Sequence, residues 1–105
     1  MVLSLFASRQ AAPDARLSLE QIRLRLYEAL SDCKDMGTQR AIYRINVADT
    51  PAELWLLRCD LHQCIARVHD QSEANRRINA LLDVFQGWVA ADQLARIPEP
   101  LRDNA

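Results

Sequence analysis

Three observations predict an all-α fold. Glycine occurs only twice, at Gly37 and Gly87, whereas sheet proteins of this size use glycine for hairpins and bulges. Apolar residues recur at helical spacing through most of the chain. Helix-start signatures stand at Ser18, Thr50 and Asp70. With 105 residues, a single helical domain over 1–105 is expected. Its predicted form is a small antiparallel bundle of three main helices plus one short helix, with 1–16 and 98–105 as flexible tails.

The first helix is predicted over Leu19–Met36. Ser18 and Gln21 form a capping box, and Leu17 and Ile22 form the hydrophobic staple around it. Leu19, Ile22, Leu26, Ala29, Leu30, Cys33 and Met36 then share a face, and Gly37 is the expected stop. The segment Thr38–Ala48 reads two ways. With Thr38 as cap, Ala41, Ile42, Ile45 and Ala48 line one side of a short helix. At period two, Tyr43, Ile45 and Val47 line a strand. The helix is preferred, because a lone strand leaves its own backbone unsatisfied.

Thr50-Pro51-Ala52-Glu53 opens the next helix, with Thr50 as cap, proline at the first helical position and Glu53 closing the box. This helix is predicted to run unbroken to His69 along a stripe of Leu54, Leu57, Leu61, Cys64, Ile65 and Val68. A last main helix is expected after Asp70 or Ser72, with Ala74, Ile78, Leu81, Leu82, Phe85, Trp88 and Val89 on one face and Gly87 at its end. A further turn is expected at Asp92–Arg96, before Pro98. Leu26, Leu57, Leu61, Leu81 and Phe85 are the predicted centre of the core.

Composition narrows function by exclusion. Half of the residues are hydrophobic and 26% are charged, which is globular usage and not that of a disordered chain. A formal net charge of -1 provides no global field for nucleic acid or an acidic membrane. No apolar run approaches the length of a bilayer span, and Val2–Ala7 is too short for a secretory core, so no membrane partner is expected. Cys33, Cys59 and Cys64 are an odd set, which suggests a reducing, cytoplasmic setting.

The chemistry-bearing residues do not assemble into a recognised motif. Cys59 and His62 share a helix face, but Cys64 points nearly opposite, so no metal site is expected. With two glycines fifty residues apart, neither a phosphate-binding loop nor a dinucleotide fingerprint exists, and no cofactor is expected. Cys59–His62 as a nucleophilic couple lacks a glycine-rich turn for an oxyanion hole, and no enzyme is expected. Arg40, Tyr43 and Arg44 could contact nucleic acid, which gives the alternative reading, an accessory nucleic-acid-binding or regulatory protein. Asp32, Asp35, Asp49 and Glu53 flank these basic spots and weigh against it. Arg16, Arg23 and Arg25 crowd the start of the first helix and Asp32 and Asp35 its predicted end, an order that opposes the helix dipole.

The Pro51–His69 helix carries a second face of Trp55, Cys59, His62 and Ala66, away from its leucine stripe. Leu24 and Tyr27 lie similarly off-stripe on the first helix. Either the chain covers this surface itself, or it is an interface, since aromatic anchors are enriched in interfaces. The reading that follows is a small non-catalytic helical interaction or adaptor protein, self-associating as a homodimer or docking another protein, with Trp55, Cys59, His62, Ala66, Leu24 and Tyr27 at the contact.

Overall fold

A computed structural model describes residues 16–98; the tail expectations for 1–15 and 99–105 lie outside them. The described residues are all-α, as predicted. Their helices are α1 (Leu19–Ala29), α2 (Met36–Val47), α3 (Pro51–Trp55), α4 (Arg58–Val68) and α5 (Gln71–Ala80), followed by 3₁₀ turns at Leu82–Phe85 and Ala91–Gln93. Three main helices and one short one were expected: the short one is α2, comparable in length to the others, and the expected Pro51–His69 helix is divided into α3 and α4.

Three of the helices, α1, α3 and α5, start where the sequence places a cap. Ser18 and Gln21 bond reciprocally at the head of α1 (3.2 and 2.8 Å). Thr50 Oγ1 accepts from the Glu53 N–H at 3.1 Å, and Asp70 Oδ1 from the Glu73 N–H at 2.8 Å. The Thr50 box differs in one respect: the Glu53 carboxylate takes the Asp49 N–H, one residue before the cap.

The helix ends differ more. The first helix stops at Ala29, not Met36. The chain then tightens through i→i−3 bonds at Leu30, Ser31 and Cys33. Arg77 of α5 donates to the Ala29 carbonyl at 3.0 Å, so a distant side chain satisfies a helix end that no glycine marks. Leu30 and Cys33 are still buried, but Met36 is 70% exposed at the start of α2. Gly37 therefore does not end a helix. It lies in the first turn of α2, where a methyl group would collide with the Arg67 guanidinium. Thr38 is not the cap either: Asp35 holds that position and accepts from the Thr38 hydroxyl. The helix expected after Asp70 ends at Ala80, and the 3₁₀ turn that follows buries Leu82, Val84 and Phe85. Gly87 has a φ of +89°, which a glycine adopts without strain.

The antiparallel order follows from named contacts. Arg23 of α1 donates to the Ile45 and Ala48 carbonyls at the end of α2. Asp35 and Arg44, at opposite ends of α2, meet Arg67 and Asp60 of α4 at 2.9 and 2.8 Å. The α4 and α5 helices form a hairpin about His69–Asp70. The contacts of Arg23 account for part of the charge order that opposes the dipole of the first helix. Arg23 places its charge at the C-terminal end of α2, where the dipole favours it. Asp32 and Asp35 do not lie in α1.

The core holds Leu26, Leu61, Leu81 and Phe85 as predicted, with Ile22, Leu30, Ile45, Leu54, Ile65 and Ile78, while Leu57 is only partly buried beside it. No helix among the described residues is long and apolar enough to cross a membrane.

Candidate functional site

The helix predicted to run unbroken from Pro51 to His69 breaks at Leu56–Leu57. There the Leu57 N–H bonds to the Leu54 carbonyl, and this tighter pitch changes the phase between α3 and α4. Both Leu54 and Trp55 are consequently buried, together with Leu61, Cys64 and Ile65. Trp55 is 8% exposed. Its ring meets Phe85 edge-on at 5.1 Å, and the Arg58 guanidinium carbon lies over it 4.0 Å from the ring centre. Trp55 is therefore not an exposed anchor for a partner. Of the two readings open to its face, the chain covers the tryptophan itself. Cys59 is exposed, and His62 and Ala66 are half-buried. Trp55, Cys59 and His62 come together at a cleft, but Ala66, Leu24 and Tyr27 are not part of its wall. Leu24 is 56% exposed, and Tyr27 packs against the core.

The cleft has a volume of about 420 Å³ and lies between α4, α5 and the stretch around Ala95 and Ile97. Asn79 holds that stretch in place, its side chain donating to the Ile97 carbonyl at 3.0 Å and accepting the Ile97 N–H at 2.7 Å. Asn75, one turn earlier, is 1% exposed and meets His62 Nε2 through Oδ1 at 2.6 Å. The sequence reading missed both asparagines. Their signal was available as an i, i+4 pair beside the apolar positions Ala74, Ile78 and Leu82, where a buried amide requires partners.

A second surface lies on the outer side of α2. Met36, Tyr43 and Val47 are 70%, 66% and 49% exposed, and Arg40 is exposed among them. Tyr43 and the stems of Arg40 and Arg44 border a shallow groove. The Arg44 charge is committed to Asp60.

The third cluster joins Asp32, Cys33 and His69, whose potential ligand atoms lie within 4.8 Å of one another. Arg77 already occupies both Asp32 oxygens, at 2.7 and 3.0 Å, and approaches His69 Nε2 at 3.2 Å. A permanent cation thus sits where an ion would bind, and the cluster is an ion-pair network. Burial, then the neighbouring Asp32, pushes the Cys33 thiol up, which keeps it a poor ligand and nucleophile. Hydrogen bonds from Arg77, reinforced by His69, hold Asp32 far below the usual carboxylate range. Arg76 and then Arg77 hold Glu73 down at about 2.

A pH dependence follows. Carboxylates whose folded pKa is depressed bind fewer protons in the native state than in the unfolded one. Their stabilisation is therefore complete above the unfolded value of about 4 and is lost as pH falls towards the folded value. The urea midpoint is expected to fall between about pH 5 and pH 2. In Arg77→Leu the neutral-pH midpoint should be lower and the acid slope shallower. An unchanged slope would exclude Arg77 as the organiser of this network.

No described protein family and no solved structure matches the chain. The chain is similar to an acetaldehyde dehydrogenase of Rhizobium rhizogenes, with 28% identity over 104 residues, or 97% of this chain and 32% of that protein. It thus spans about a third of the length of the curated relative it matches.

Proposed function

We propose that this protein is a non-catalytic helical interaction module that self-associates through the outer face of α2. The observation that carries this reading is the exposed stripe Met36, Arg40, Tyr43 and Val47. Its spacings of four, three and four residues are the same in both directions. An antiparallel crossing with a second copy about a two-fold axis sets Met36 against Val47 of that copy and Arg40 against Tyr43. The first contact is apolar and the second is a cation over an aromatic face. Two-fold contacts of this kind repeat one patch on both chains. A single helix face offers less than the standard area of about 800 Å² per partner, so the dissociation constant is expected on the order of 100 micromolar. The free state of Cys33, Cys59 and Cys64 suits a cytoplasmic setting.

The non-catalytic part rests on two of the three thiols and on the histidines. Cys33 and Cys64 are buried, and His62 and His69 are bound to Asn75 and Asp32. The nucleic-acid alternative through Arg40, Tyr43 and Arg44 has less support, because Asp60 already pairs Arg44.

Sedimentation over a concentration series up to about 1 mM tests the proposal. Met36→Glu and Val47→Lys should each weaken the dimer. The double variant should restore it, because each new charge then faces its opposite across the two-fold axis. These side chains are exposed, so folding should persist. A parent that stays monomeric, or a double variant no better than the singles, would overturn the self-association. Turnover of acetaldehyde by the purified chain would overturn the non-catalytic reading.

A further inference from the structure

The cleft beside Trp55 has the size of a ligand site and contains an unmatched polar group. Its volume of about 420 Å³ falls within the range of small-molecule pockets. Trp55, Ile78, Leu82 and Ile97 supply apolar wall, and Arg58, His62 and Asn75 contribute the polar groups used below. The Asn75 carboxamide is only half satisfied. Its Oδ1 is engaged by His62, but its buried Nδ2 has no hydrogen-bond partner among the described residues. Most buried polar atoms find a partner, and leaving one unmatched is costly. An oxygen acceptor on a bound molecule would remove that cost.

Arg58 selects the kind of acceptor. Its Nη1 donates to the Trp55 carbonyl at 2.9 Å, and its guanidinium carbon lies over the indole, 4.0 Å from the ring centre. Among the described residues no carboxylate pairs with it. Its charge and remaining donors favour a carboxylate over a neutral oxygen, because charge-assisted hydrogen bonds are the stronger ones.

We propose that this cleft binds small monocarboxylates with an apolar body. The body lies against Trp55, Ile78, Leu82 and Ile97. The carboxylate takes its charge complement from Arg58 and a hydrogen bond from Asn75 Nδ2. His62 is a positioning residue that fixes the amide by engaging Oδ1. The site is separate from the α2 face, so the two proposals stand or fall independently.

Octanoate is a suitable probe, with octanol as its uncharged match. Titration into the full chain, followed by NMR, should move the Asn75 side-chain amide and the Trp55 indole N–H along one saturable curve. Octanoate should bind about tenfold more tightly than octanol, a difference of about 1.4 kcal/mol. Arg58→Gln, which leaves the buried Asn75–His62 pair in place, should abolish the preference for octanoate over octanol. Equal affinity for the two probes, an unmoved Asn75 amide, or an Arg58→Gln variant that keeps the preference would each overturn the proposal.

Discussion

Leu61→Ala is expected to remove about 2–5 kcal/mol of stability. Leu61 lies in α4 with none of its surface exposed, where α4 meets both α2 and α5. Truncation forfeits the transfer free energy of the lost carbons and leaves a cavity that the surrounding side chains fill only in part. Small domains are stable by only about 5–15 kcal/mol, so the change takes a large share of the total. Leu56→Ala is the internal control. Leu56 lies five residues earlier, at the break before α4, and is 71% exposed, so its loss should stay within about 0.5 kcal/mol. Urea unfolding followed by circular dichroism measures both. Equal midpoints for the two variants would show that Leu61 is not at the centre of the core.

Trp55→Ala should be at least as damaging, at about 3–5 kcal/mol. The indole meets Phe85 edge-on and has Arg58 over its ring, and its truncation leaves a cavity that these neighbours fill only in part. Edge-to-face aromatic pairs contribute about 0.5–1.5 kcal/mol beyond their area. A double-mutant cycle of Trp55→Ala and Phe85→Ala should therefore return a coupling of that order. Trp55→Glu should unfold the protein, since it places a carboxylate among apolar side chains. If Trp55→Glu instead gave a folded chain of reduced oligomeric state, Trp55 would be an interface residue after all. Near-UV circular dichroism and sedimentation together separate these outcomes.

Much of the fold was legible because helix starts are local. Ser18, Thr50 and Asp70 satisfy donors only two or three residues away, so their caps are readable from the residues themselves. Burial was legible for the same reason of periodicity: Leu26, Leu61, Leu81 and Phe85 were placed in the core from spacing alone. The candidate sites were less accessible. Cys59 and His62 were singled out as neighbours, and both border the cleft. Asn75 and Arg58 acquire meaning only when α5 and the stretch around Ile97 close over the end of α3. The stripe on α2 was hidden because Met36 was assigned to the preceding helix. Its correct boundary exposes Met36 and aligns it with Arg40, Tyr43 and Val47.

The sequence by itself determined the all-α class, the helix starts at Ser18, Thr50 and Asp70 and most of what is buried. All of these depend on contacts within one or two turns. The tertiary structure decided where helices end and which faces remain open. Ala29 terminates α1 because Arg77, 48 residues away, satisfies its carbonyl. Asp35 opens α2 with Arg67 of α4 against it. Trp55 turns inward because the backbone tightens at Leu56–Leu57 and Phe85 is there to receive it. A helix end leaves orphan carbonyls whose partners lie anywhere in the chain, so its position depends on the assembled fold as well as on the local sequence.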